Sequence, residues 1–246
     1  MKRIQRITLP KDAEDYLGKR QKAADLKRQA NKLDPTADWK TARPTKKMGK
    51  VLATLHAMTG QRQRCMYCFD SHGSDIEHFR PKAIYPERMY QWENLLLCCT
   101  HCGRLKLDQF PMTGRRILLV DPTKENPWDS LDFDPLTGNI CARFDVKLNA
   151  WSAKGEKTVE VLHLDKREAL STGYLLTLRR LSAVVNNALS GGTIDATKLT
   201  AALQSEDDHG LLGWCFSNRA STLQPFSDLR QQQPQVWAQC AKALKA

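Results

Sequence analysis

Two cysteine pairs, Cys65-x2-Cys68 and Cys99-x2-Cys102, separated by thirty residues, constrain this chain more than any other feature of it. Each pair has the spacing of a metal knuckle that aims two thiolates at one tetrahedral ion. Together they predict a four-cysteine zinc site stapling two stretches distant in sequence. Four thiolates close the coordination sphere and leave no position for a substrate water, so this zinc is expected to be structural. Catalysis, if any, must come from other residues. Of eight cysteines, five fall between Cys65 and Cys102. Cys98 is the wrong member of its doublet for a two-residue knuckle with Cys102 and is expected to point into the core. Cys141, Cys215 and Cys240 lie far apart and are expected as buried small apolar residues.

The metal reading suits a reducing compartment. The opening residues, MKRIQRITLP, carry no apolar stretch behind their positive charges that would serve as a signal peptide. No apolar run approaches the roughly 18 residues of a membrane span. A cytoplasmic location is therefore expected, with reduced thiols and no membrane partner.

Charge adds a partner class. The 38 Lys and Arg against 27 Asp and Glu give a formal charge of +11, which favours polyanions such as DNA or RNA. Much of the excess lies between Lys2 and Arg64. That segment reads equally well as a solvated helix face and as a nucleic-acid surface.

Periodicity divides the chain into a basic helical arm over 1–60, a module dense in Cys, His and Trp over 61–115, and a loop, hairpin and helical region over 116–246. In the arm, Ala13 to Leu33 reads as a helix anchored by Tyr16, Leu17, Ala24, Leu26 and Leu33. Breaks at Asp34-Pro35 and Arg43-Pro44 predict an irregular stretch carrying Trp39. Thr45 can cap a second helix, with Val51, Leu52, Leu55 and Met58 on one face and Gly60 at its end. Beyond the module, Arg116 to Val120 and Asn139 to Phe144 are β-prone. A long helix is expected from Asp165 to Leu189, with Leu170, Tyr174, Leu175, Leu178, Leu181 and Val185 as its apolar stripe and Gly191-Gly192 as its stop. Shorter helices follow over Ala196 to Gln204 and Gln235 to Leu244.

Between the knuckles, Asp75-Ile76-Glu77-His78-Phe79-Arg80-Pro81-Lys82 alternates as a strand would. Phosphodiester cleavage needs a base to deprotonate water and a cation to offset charge on the phosphate. An imidazole beside a carboxylate supplies a base and a metal ligand. An acid-His dipeptide is common on ordinary surfaces; its position between two knuckles is what singles out this one.

The order acid-His, Asn94-Leu95, Cys99-x2-Cys102, Arg104 and Lys106 resembles the HNH endonucleases of the ββα-metal type. The resemblance implies an α+β chain: a zinc-stapled ββα module framed by an N-terminal helical arm and a C-terminal helical region. By the same resemblance His78 is the water-activating base, Glu77 a ligand of a catalytic Mg²⁺ or Mn²⁺, and Asn94 the brace of the intervening loop. Arg80, Lys82, Arg104 and Lys106 become candidate nucleic-acid contacts. One position departs: the family's Asn or His after the last cysteine is Gly103 here, and neither His101 nor Asp108 is a simple replacement at helical spacing.

Further runs, Glu77 to Lys82, Tyr85-Pro86-Glu87, Trp92 to Leu95, Phe110-Pro111 and Asp121-Pro122, resemble the HNH partners of PtuA-type ATPases in Septu and retron-linked antiphage systems. That resemblance implies a toxic effector held by an ATPase and, in the retron-linked systems, a reverse transcriptase with its msDNA. The rival expectation is a catalytically silent zinc adaptor that grips nucleic acid or the ATPase. DNA and RNA are not distinguished, because a basic surface grips either backbone.

Overall fold

In the computed structural model, which describes residues 1–217 and 219–245, the chain is a mixture of helices and small two-stranded antiparallel sheets. It forms two compact units. One comprises Arg3–Glu125 with Glu160–Leu162; the other comprises Met1–Lys2, Asn126–Val159 and His163–Ala246. Among the described residues no helix is long and apolar enough to cross a membrane.

The first unit begins with three helices: α1 (Lys11–Gln29), α2 (Pro35–Ala42) and α3 (Lys46–Met58). Acidic residues Asp12 and Glu14 in the first turn of α1, and Lys27 and Arg28 in its last, complement the helix dipole. Its buried face is thin, limited to Ala13, Leu17 and Ala24; Leu26, expected as an anchor, is 67% exposed. Charge compensates for the thin face. Asp12 pairs with Lys47 and Lys50 of α3, while Arg20 and Lys27 converge on the buried Asp38 of α2. Much of the basic leader is thus committed within the unit.

The stretch around Trp39 is helical, in contrast to the irregular segment expected from its flanking prolines. Asp34 accepts hydrogen bonds from the Thr36 and Ala37 amides, and Pro35 sits in the first turn, where its missing N–H costs nothing. The Asp-Pro step opens a helix here. Thr45 caps α3 as expected by accepting from the Met48 amide, and Gly60 follows with φ +76°.

Next come β1 (Asp75–His78), β2 (Leu95–Cys98) and α4 (Thr100–Lys106). The strands pair antiparallel in the register Asp75↔Cys98, Ile76↔Leu97, Glu77↔Leu96 and His78↔Leu95. All of β2 is buried. Gly73 permits this packing, since a Cβ there would lie 2.3 Å from Leu97 Cγ. A small hairpin of β3 (Met112–Thr113) and β4 (Arg116–Ile117) follows, shorter than the run to Val120 suggested.

The second unit holds the hairpins β5 (Leu131–Phe133) with β6 (Ile140–Ala142) and β7 (Phe144–Asp145) with β8 (Ala150–Trp151). Helix α5 (Ala153–Leu162) belongs to it through Val159, while Glu160–Leu162 group with the first unit. Then come α6 (Glu168–Ser190), α7 (Ala196–Glu206), α8 (Leu212–Cys215), α9 (Phe226–Gln232) and α10 (Pro234–Lys245). The α6 stripe is buried at Leu170, Tyr174, Leu178, Leu181 and Val185, and the helix stops at Gly191. Cys215 and Cys240 are buried; Cys141 is only half-buried.

Candidate metal centre and its flanking strand

The first knuckle is a tight turn. The Cys65 amide donates to Ser71 O, the Phe69 amide to Cys65 O, and Phe69 adopts φ +51° to reverse the chain. The second knuckle is a helix start: Cys99 is the N-cap of α4, and its Sγ accepts from the Cys102 amide. A thiolate at that position faces the positive end of the helix.

The Sγ atoms of Cys65, Cys68, Cys99 and Cys102 all lie within 4.8 Å of one another, and all four residues are buried. The Cys68 to Cys99 separation is 4.0 Å. Tetrahedral Zn–S bonds of about 2.3 Å place sulfurs roughly 3.8 Å apart, so the cluster fits a zinc ion as it stands. Its electrostatics agree. Hydrogen bonding from Cys102 and the other sulfurs pulls the Cys68 thiol well down, whereas burial pushes Cys65 well up and bonding to Cys65 raises Cys102. Four buried thiolates need a cation to coexist, which a bound zinc ion would supply. Cys98 stays outside this set, buried, its Sγ donating to Cys99 O.

Beside the cluster, Glu77 and His78 leave β1 in different directions, as consecutive strand residues do. Glu77 turns to α4. Its Oε1 accepts from Lys106 Nζ at 3.0 Å, and that ammonium also donates to His78 O at 2.8 Å. The Lys106 side chain is fully buried. Gly103, one turn earlier, faces the same carboxylate: a Cβ there would sit 3.8 Å from Glu77 Oε2. Burial raises the Glu77 carboxyl, opposed by the Lys106 charge.

His78 turns to a pocket made by α2 and the loop before β2. Its ring meets Trp39 in a T-shape with centroids 4.3 Å apart. Nε2 lies 3.0 Å from Met89 O. A carbonyl only accepts, so Nε2 carries the hydrogen and Nδ1 keeps its lone pair. Burial, with the Lys82 and Lys106 charges behind it, drives the imidazole down to about 3, leaving it neutral near pH 7.

Asn94 is buried and holds the loop between the strands: Oδ1 accepts from the Arg80 amide, while Nδ2 donates to Arg80 O and Arg88 O. The four cations named from sequence divide. Arg104 is exposed and Lys82 half-buried. The Arg80 guanidinium lies over the rings of Tyr85 and Phe110. Lys106, expected to meet phosphate, is instead enclosed against Glu77, because its long side chain turns inward to a half-buried carboxylate.

A divalent ion beside Glu77 fits poorly. One carboxylate carrying an ammonium has no net charge to offer, and the helix position aimed at it has no side chain. Sequence reading missed the groups that seat the two strands: Trp39 and the Met89 carbonyl at His78 of β1, and Arg6, which donates to the carbonyls of Trp92, Glu93 and Leu95 at the start of β2. Backbone carbonyls have no sequence signature; the indole did, as a lone Trp in a polar stretch.

Compared with known proteins, the chain is 28% identical over 127 residues to the Septu protein PtuB of Bacillus thuringiensis. The match covers 50% of this chain and 44% of that protein, so the chain matches less than half the length of that relative. No family model matches the chain, and no solved structure matches it.

Proposed function

We propose that the chain is an antiphage defence protein of the Septu kind, in which residues 61–115 form a zinc-stapled HNH module that hydrolyses nucleic-acid phosphodiesters. The observation that carries this reading is the strand pair and helix stapled by one cysteine cluster, with Glu77-His78 on the first strand and α4 held against Glu77. Similarity to PtuB over half the chain supports the defence setting and a PtuA-type ATPase as partner.

In this reading Nδ1 of His78 takes a proton from water as the water oxygen bonds to phosphorus. The ester oxygen departs with a proton from solvent. Arg80, Lys82 and Arg104 are the cations this reading assigns to the backbone, and Asn94 fixes the loop that carries Arg80. The test is cleavage of plasmid DNA and of structured RNA by the purified chain with its ATPase. The reading expects the parent to cut at least one of them and His78→Ala to lose at least about a hundredfold in rate. Equal rates for the two proteins would refute it.

The silent-adaptor reading keeps one specific support, the pairing of Glu77 with Lys106 opposite Gly103. It expects retained ATPase and nucleic-acid binding with no cleavage by either protein.

A further inference from the structure

We propose that the Lys106 ammonium occupies the place of a divalent cation beside Glu77, so that this position binds no Mg²⁺ or Mn²⁺. The inference rests on the HNH reading only for the choice of place; its physical grounds are in this chain.

A divalent ion beside a single carboxylate needs that carboxylate free, a second oxygen donor, and no competing positive charge. None of the three is met. Lys106 Nζ sits 3.0 Å from Glu77 Oε1 and 2.8 Å from His78 O, taking up that carboxylate oxygen and a backbone oxygen of β1, with Leu107 O a further acceptor at 3.4 Å. Its side chain is 0% exposed, so this pairing is held by the packing of α4 against β1 rather than exchanged with water. Lys82 adds a second positive charge that acts on Glu77. The helix position facing the other carboxylate oxygen is Gly103, where a Cβ would lie 3.8 Å from Glu77 Oε2 and glycine offers no donor. The His78 imidazole leaves the strand in a different direction from Glu77 and packs against Trp39, so it brings no donor to this position.

An ammonium supplies one positive charge in fixed geometry, with no exchangeable water of its own. Lys106 therefore neutralises Glu77 and ties the last turn of α4 to the β1 backbone. The module is held together from two sides, by zinc at the start of α4 and by Lys106 at its end.

The experiment is Mn²⁺ titration of the zinc-loaded full chain, read by the electron paramagnetic resonance of free Mn²⁺. The proposal expects no uptake that depends on Glu77. Uptake of one Mn²⁺ by the parent that disappears in Glu77→Gln would overturn it; uptake unchanged in Glu77→Gln lies elsewhere and agrees with it. A double variant, Gly103→Asp with Lys106→Met, puts a second carboxylate opposite Glu77 and removes the ammonium. With zinc content unchanged, it is expected to bind one Mn²⁺ at least about tenfold tighter than the parent. Failure to gain that ion would also count against the proposal. These counts read independently of cleavage: a chain that cuts nothing refutes the nuclease reading and leaves the Mn²⁺ result intact.

Discussion

The Asn94 side chain grips Arg80 from both ends of its peptide, accepting from the Arg80 amide at 2.8 Å and donating to the Arg80 carbonyl at 3.0 Å. A third bond to Arg88 O, also 3.0 Å, closes the loop between β1 and β2 around one buried amide.

Three bonds at about 1 kcal/mol each, and buried backbone groups left without a partner, set the cost of removing it. Asn94→Ala is expected to lower stability by about 2–4 kcal/mol, read as a lower denaturation midpoint with unchanged slope. A loss under about 0.5 kcal/mol would mean that the loop holds itself.

Trp39 is 8% exposed and covers the edge of the His78 ring. Trp39→Ala is expected to cost about 3–5 kcal/mol as a large-to-small change. Trp39→Leu keeps most of the volume and should cost less. In either variant the His78 imidazole, freed of part of its burial, should protonate at higher pH than in the parent; histidine ring shifts measured against pH by NMR would show it.

In the parent His78 titrates near 3, against about 6.5 for an unfolded histidine. The unfolded chain therefore binds the extra proton first. The contribution of this group to stability is complete above about pH 6.5 and declines as pH falls toward 3. NMR of the folded chain should find the His78 ring neutral throughout pH 7 to 5, and a ring that protonates in that interval would contradict the burial argument.

What the sequence made legible follows from how local each signal is. The cysteine spacing is set by knuckle geometry, and all four thiols meet. The Thr45 cap and the α6 stripe are likewise local, and both appear. Asp34-Pro35 reads as a break because proline disfavours helix in the residue before it; the same residues also form a capped helix start, and tertiary contacts of Trp39 and Asp38 favour that outcome. Leu26 shows the limit of periodicity, since α1 packs through small residues and ion pairs rather than a broad apolar face. Lys106 shows it most clearly. Nothing in a helical Lys seven residues after a capping cysteine announces that it turns inward, because its partner Glu77 is twenty-nine residues away in sequence.

The claim beneath all the others is that one ion joins the two cysteine pairs and so fixes α4 against β1. Metal analysis of the purified full chain tests it directly: one zinc per chain is predicted, lost in Cys68→Ser with Cys102→Ser. Its removal by a chelator should unfold the β1–β2–α4 region, read by amide exchange. A metal-free chain that keeps its β1 and β2 amides protected would contradict the account.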